Sequence, residues 1–204
     1  MREYHRLLCE VIFWKELRAR DEKLGAELQA AGCCRELCAG KLDCAFYPRS
    51  PRGHGIAFSR TDTRRVSYCC RHCRRRHTPV SERFLSYKIY SHISVLVTLV
   101  LYSGRSPEIT LQRIRAVGGA SDVTVRRWRS WIAEFLTSPE WKALRTQLSA
   151  VFDITRFPAS LVEQFQGIGR SLAAALGAAL RFLKVLSRTQ YQNTLCRTNS
   201  DSRK

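Results

Sequence analysis

Apolar residues recur at helical spacing over much of this chain. Between residues 1 and 32 they fall three, four or seven positions apart, at Leu7, Val11, Trp14, Leu17, Leu24 and Leu28. Gly32 ends the pattern. We therefore predict an amphipathic helical extension over residues 1–32, which packs on the body of the protein or on a partner.

The pattern changes between residues 33 and 80, where short apolar pieces are broken by glycine and proline. Lys41–Tyr47 and Arg65–Cys69 each have the length and composition of a short strand. The stretch from Pro48 to Gly55 between them is predicted to be a loop. This region holds too little apolar mass to fold alone, so a bound metal would supply the missing stabilisation.

Helical spacing returns after Thr78-Pro79. Helices are predicted over Phe84–Tyr102, Pro107–Val117, Val123–Leu136, a stretch that begins at Ser138-Pro139-Glu140, Leu161–Phe165 and Leu172–Leu186. The polar residues after Ser187 are predicted to form a disordered tail. The fold class expected from these patterns is α+β, mostly α.

Cysteine usage adds candidate chemistry to this picture. Seven of the nine cysteines lie between residues 33 and 73. We recognise no export signal and no apolar run long enough to cross a membrane, so we expect a cytoplasmic protein without a membrane partner. In a reducing compartment an odd number of clustered thiols favours metal ligation over disulfides.

Two close cysteine pairs, Cys34/Cys38 and Cys70/Cys73, have the spacing of zinc knuckles. Two knuckles complete a tetrahedral structural Zn²⁺ site, and four thiolates leave no open position for a catalytic water. The neighbours Cys33, Cys69 and His72 are alternative ligands at one position. Cys9, Cys44 and Cys196 are interpreted as ordinary thiols.

These elements predict a modular chain. The helical extension of residues 1–32 is followed by a small zinc-ribbon-like domain over 33–80, with four cysteines as the metal ligands. An all-helical domain that contains a helix-turn-helix spans 81–137, further C-terminal helices span 138–187, and the disordered tail spans 188–204.

The net charge of the chain indicates the class of its binding partner. The 204 residues carry a formal net charge of +18, which favours nucleic acid. Ten arginines lie between residues 49 and 83 against two acidic residues, a local excess of +8: Arg49, Arg52, Arg60, Arg64, Arg65, Arg71, Arg74, Arg75, Arg76 and Arg83. Six of them are predicted DNA contacts: Arg64, Arg65, Arg71, Arg74, Arg75 and Arg76.

The helix-turn-helix is the second candidate DNA-binding element and lies between Thr110 and Trp131. A short helix, a turn containing Gly118-Gly119 and a helix capped by Ser121 have the proportions of this motif. Helical projection places Val125, Trp128, Ile132, Phe135 and Leu136 on one face. The predicted base-reading residues lie on the opposite face or in the first turn: Thr124, Arg126, Arg127 and Ser130.

Together these features resemble the amino-terminal DNA-binding part of zinc-ribbon insertion-sequence transposases. The chain is more similar still to small bacterial proteins of mobile elements, through Leu42–Gly53 (Leu-Asp-x-Ala-x-Tyr-Pro-Arg-x-Pro-Arg-Gly), Ser67–Cys70 (Ser-Tyr-Cys-Cys) and Cys73–Pro79 (Cys-Arg-Arg-Arg-x-Thr-Pro). The resemblance covers about residues 33–167. It implies zinc in the ribbon and DNA binding by the helix-turn-helix.

Full transposases also need a domain that holds three carboxylates around paired magnesium ions. The region after Ser138 has only four acidic residues in a helical setting, Glu140, Asp153, Glu163 and Asp201. We therefore expect no enzyme activity, and predict a sequence-specific, nucleoid-associated DNA-binding protein that assists or regulates transposition. Its candidate protein partners are a transposase or a second copy of itself.

Two alternatives stay open. One is a truncated transposase that completes its catalytic site with another chain. The other is a zinc-dependent module that binds RNA or a protein.

Overall fold

The computed structural model describes residues 2–35, 37–48, 64–85, 90–103, 119–149, 152–167, 170–184 and 186. Within them the fold is mixed α and β and mostly helical. The helices are α1 (Arg2–Leu8), α2 (Val11–Ala31), α3 (His92–Ser103), α4 (Asp122–Thr137), α5 (Pro139–Arg145), a 3-10 turn (Ile154–Arg156), α6 (Ala159–Gln166) and α7 (Leu172–Leu183). The strands are β1 (Leu42–Pro48), β2 (Arg64–Cys70) and β3 (Arg76–His77).

The sheet is small and antiparallel, with the order β1-β2-β3. In β1 and β2, Leu42 pairs with Cys70 at one end and Pro48 with Arg64 at the other. The two predicted strands are confirmed, and β3, which pairs with β2 through Tyr68 and His77, was not predicted. The predicted loop after Pro48 lies outside the described residues.

The first 32 residues pack on the body of the protein. Phe13, Trp14 and Leu17 of α2 are buried in the same hydrophobic core as α3 to α7. Trp14 is fully buried, and its indole N–H donates a hydrogen bond to the Leu8 carbonyl oxygen over 2.8 Å. Helix α1 and the first half of α2 are therefore part of the helical core.

The helix predicted from Phe84 begins only at His92, which corrects the sequence interpretation. Phe84 forms a β-bridge with Ser91, and the His92 amide donates to the Arg83 carbonyl oxygen. A long-range contact holds the segment just before Phe84, because the Asp21 carboxylate accepts hydrogen bonds from the Ser81 hydroxyl and the Arg83 guanidinium. Tertiary contacts thus override the apolar pattern.

The C-terminal helices follow the sequence signals closely. Ser138 caps α5 by accepting a hydrogen bond from the Trp141 amide, and Pro139 occupies the first turn. α6 and α7 lie where the pattern predicts them. The predicted helix Pro107–Val117 and the tail 188–204 lie outside the described residues. In the described part of the chain, no helix has the length and hydropathy needed to span a bilayer.

Candidate metal centre and basic surface

Four cysteine sulfurs come together between the end of α2 and the β2–β3 turn. They belong to Cys33, Cys38, Cys70 and Cys73, and all lie within 4.8 Å of one another. The Sγ–Sγ distances are 3.6 Å for Cys33–Cys73 and 3.5 Å for Cys38–Cys70. A tetrahedron with zinc–sulfur bonds of about 2.3 Å has edges of about 3.8 Å. The four thiols therefore fit a single tetrahedral ion.

The first knuckle runs from Cys33 to Gly40. The Cys33 amide donates to the Gly40 carbonyl oxygen over 3.1 Å, which closes the loop directly after α2. Leu37 and Ala39 adopt positive φ angles of 61° and 42° on either side of Cys38. A Cβ atom on Gly40 would lie 2.5 Å from the Cys70 sulfur, so only glycine lets this backbone approach the thiols.

The second knuckle is the turn that joins β2 to β3. The Cys70 amide donates to the Arg75 carbonyl oxygen over 2.9 Å, and the Arg74 amide donates to the Cys70 carbonyl oxygen over 3.0 Å. The Cys73 amide points at the Cys70 sulfur over 3.5 Å. This amide contact stabilises negative charge on sulfur, as a metal-bound thiolate requires.

The thiols in the cluster differ in acidity. A backbone hydrogen bond from Arg75, together with bonds from neighbouring thiols, lowers the pKa of Cys73 to about 6. At Cys33 a backbone hydrogen bond from Arg35 lowers the pKa, but burial and bonds with the other thiols raise it to about 12. Cys73 is therefore the more acidic of these two thiols. A metal bound by the cluster would displace the protons that the thiols carry.

His77 supports the cluster from outside. Its Nε2 atom lies 3.3 Å from the Cys33 sulfur, and its Nδ1 atom lies 3.5 Å from the Cys34 sulfur. Burial, and then the positive charge of Arg75, lower the pKa of His77. The neutral ring has one N–H and one acceptor nitrogen, so it can donate to one sulfur and accept from the other. Sequence analysis missed this role, although Cys73 and His77 have a ligand-like spacing.

Cys34 was predicted to be a metal ligand, and the structure places Cys33 in the cluster instead. Three of the four predicted ligands lie in the cluster, but Cys33 takes the place of Cys34, whose side chain is exposed. Gly32, at φ 76°, and the Cys33–Gly40 hydrogen bond set the backbone turn at this point, and the Cys34 sulfur lies beside His77 Nδ1 instead of within the cluster. Cys9, Cys44 and Cys69 lie outside the cluster, and Cys196 lies outside the described residues.

A small apolar cluster surrounds these thiols. Its buried members are Leu42, Tyr68 and Cys70, and Leu28 and Val66 pack against them. This cluster is separate from the main core. Little apolar surface is buried here. A metal bound by the thiols would therefore hold the sheet to the end of α2 and stabilise this part of the fold.

The predicted arginine contacts separate into different environments. Arg64, Arg74 and Arg76 are exposed, and Arg75 is half-buried. The exposed Arg71 guanidinium donates through Nε to both oxygens of Asp43, over 2.7 and 2.8 Å.

Arg65 was predicted to contact DNA at the surface, but its side chain is buried. It is only 6% exposed, its Nη2 atom donates to the Pro79 carbonyl oxygen over 3.4 Å, and its guanidinium lies 5.8 Å from the Phe84 ring centre. The alternation of β2 turns Arg65 inward while Arg64 faces solvent. Arg65 is therefore shielded from the phosphates of a duplex.

Helix α4 has the two predicted faces. The buried face consists of Val125, Trp128, Ile132 and Phe135. Arg126, Arg127 and Ser130 are exposed on the other side. Ser121 caps the helix by accepting from the Thr124 amide, and the Thr124 side chain lies 3.0 Å from the Ser121 hydroxyl. The helix predicted before the Gly118-Gly119 turn lies outside the described residues.

Comparison with protein-family models, curated proteins and solved structures finds no match to this chain.

Proposed function

We propose that this chain is a zinc-stabilised protein that binds duplex DNA without a catalytic reaction of its own. The observation that carries the proposal is the second knuckle, where two of the clustered thiols, Cys70 and Cys73, share one turn with the arginines that follow them. An ion bound by the thiols would order this turn and present its guanidinium groups together. Ordered arginines bind phosphates with a smaller loss of side-chain entropy.

The chemistry of the donor set supports a structural metal. Four cysteine thiolates are the preferred set for a closed zinc site, and they leave no coordination position for substrate or water. The metal would therefore contribute to folding of the ribbon rather than to a reaction.

Helix α4 is the proposed reader of base sequence. Its exposed face carries Arg126, Arg127 and Ser130, a pattern of donors that suits base edges and phosphates in the major groove. The buried face packs on the core, which would hold the reading face rigid.

The first test is DNA binding by the zinc-loaded chain, with and without chelator. We expect Arg126→Ala or Arg127→Ala to weaken binding by about 1–3 kcal/mol and to relax preference at one base position. Arg74→Ala should weaken binding to all sequences alike and lower the salt slope by about one. The matched control is Lys142→Ala, which deletes an exposed charge on α5. Unchanged affinity in the Arg126 and Arg127 variants would refute the reading face.

An accessory or regulatory role in a mobile element is a further part of the proposal and rests on the sequence resemblance alone. Preference for the ends of such an element over random duplex would support it. Strand cleavage with magnesium would instead favour the truncated transposase, and preference for structured RNA over duplex would favour the RNA-binding alternative.

A further inference from the structure

A cavity of about 160 Å³ lies at the end of the β1–β2 hairpin farthest from the thiols. It is open to solvent on one side and is lined by residues of α2, of the start of β2 and of the segment 79–83. Arg64 at this end and Cys70 at the thiol cluster are six positions apart along β2, a span of about 20 Å. We call this site the hairpin cavity; it is distinct from the thiol cluster and from α4.

One wall of the hairpin cavity is apolar and includes an exposed aromatic ring. Phe46 is 61% exposed, and Val66, Pro79 and Val80 continue the same wall. A cavity of about 150 Å³ holds a benzene ring, so the volume suits one six-membered ring of a nucleobase. The ring of Phe46 offers a stacking surface, because every base has a π-face that packs on an aromatic side chain.

The rest of the lining is strongly basic. Its charged groups are four arginines and two carboxylates, a net charge of +2: Arg18, Arg64, Arg65, Arg83, Asp21 and Glu22. The carboxylates are already engaged, since Asp21 binds Arg83 over 2.7 Å and Glu22 lies 3.5 Å from Arg18. Within the described residues no carboxylate lies at ion-pair distance from Arg64, which is exposed. The excess charge suits an anion.

We infer that the hairpin cavity binds a single nucleotide whose base is unpaired, with the base against Phe46 and its phosphate on Arg64. A base within a duplex is stacked on both faces and cannot enter a cavity, whereas an unpaired base can. Two ligands offer the same base and phosphate: a free mononucleotide, and an unpaired nucleotide of a DNA chain. The inference deepens the proposed function and rests on it only for the DNA source.

The test compares two labelled DNAs by fluorescence anisotropy on the full, zinc-loaded chain. One is a blunt duplex, and the other is the same duplex with a three-nucleotide single-stranded extension. Because one base stacked on an aromatic side chain contributes about 5- to 100-fold in affinity, we expect the extended duplex to bind at least about fivefold tighter. Phe46→Ala should abolish this difference and leave blunt-duplex affinity unchanged, while Phe46→Tyr should retain it. Ile12→Ala, another exposed apolar side chain, is the matched control.

Titration with deoxycytidine monophosphate, and separately with inorganic phosphate, distinguishes the sources. Binding of the mononucleotide that Phe46→Ala weakens, without a preference for the extended duplex, would support the cavity with a free nucleotide as its ligand. Equal affinity for both duplexes, together with mononucleotide binding that is absent or insensitive to Phe46→Ala, would overturn the inference. Blunt-duplex binding in that case would leave the proposed function standing. Conversely, mononucleotide binding without duplex binding would refute the proposed function and support the cavity.

Discussion

Replacing Cys33 by serine is expected to weaken zinc binding far more than the same replacement at its neighbour Cys34. The Cys33 sulfur lies within 4.8 Å of three other thiols, whereas Cys34 is exposed and contacts His77. Structural zinc contributes about 10–16 kcal/mol in small domains, so one of four equal thiolates accounts for about 2.5–4 kcal/mol, on the order of 100-fold or more in affinity. Serine at position 34 keeps a hydroxyl for His77, and we expect a change of less than about 10-fold.

The assay is competition for zinc against a chromophoric chelator, combined with metal analysis of the purified variants. The wild-type chain and Cys34→Ser should each retain one zinc per chain at a chelator concentration that strips Cys33→Ser. A zinc content of zero in the wild-type chain would refute the metal centre itself. A larger loss of affinity in Cys34→Ser than in Cys33→Ser would refute the ligand assignment and restore the pairing inferred from sequence spacing.

Three further predictions concern stability and zinc retention. Asp21→Asn should lower the free energy of unfolding by about 3–5 kcal/mol in a urea titration, because it removes the charge of the buried carboxylate that Arg83 binds over 2.7 Å. Asp43→Asn, which breaks an exposed ion pair, should cost less than about 1 kcal/mol; equal effects would contradict the buried pair. Gly40→Ala should reduce zinc retention, since its Cβ would meet the Cys70 sulfur, while Gly167→Ala, with neighbours no nearer than 3.5 Å, should retain zinc normally. Burial lowers the pKa of His92 to about 3 from an ordinary 6.5. Between these pH values the unfolded chain binds one proton more than the folded chain. The free energy of unfolding should therefore fall by about 1.4 kcal/mol per pH unit as the pH drops through that window. The non-titrating His92→Leu variant should lose this part of the slope, and an unchanged slope would show that His92 is not the group responsible.

Local sequence signals predicted the elements whose causes are local. The serine caps at Ser121 and Ser138 and the buried stripe of α4 depend on residues a few positions apart, so periodicity suffices to find them. The small sheet was predicted for the same reason, because its strands are short apolar runs bounded by turn residues.

The predictions from sequence were wrong where contacts between residues far apart in the chain determine the structure. Helix α3 starts late, at His92, after a segment that Asp21 holds, and Asp21 is sixty positions or more away along the chain from Ser81 and Arg83. Arg65 carries the same charge as Arg64, and only the packing of β2 separates the buried side chain from the exposed one. The choice between adjacent Cys33 and Cys34 likewise depends on the backbone turn at Gly32 and on the contact with Gly40, neither of which pair spacing encodes.

Helix α2 connects the small sheet to the helical core. Its first half is buried in the main core through Trp14 and Leu17, and Leu28 in its last turns packs on the cluster around the thiols. Asp21 between them binds Arg83, which in turn donates to the Arg64 carbonyl oxygen at the start of β2. The small sheet is therefore held at both ends of β2: by the Arg83 contact at one end, and by the thiol cluster, which joins it to the residues after α2, at the other. Because only the second attachment involves the thiols, loss of metal would release the knuckles and their arginines and leave the packed face of α4 in place.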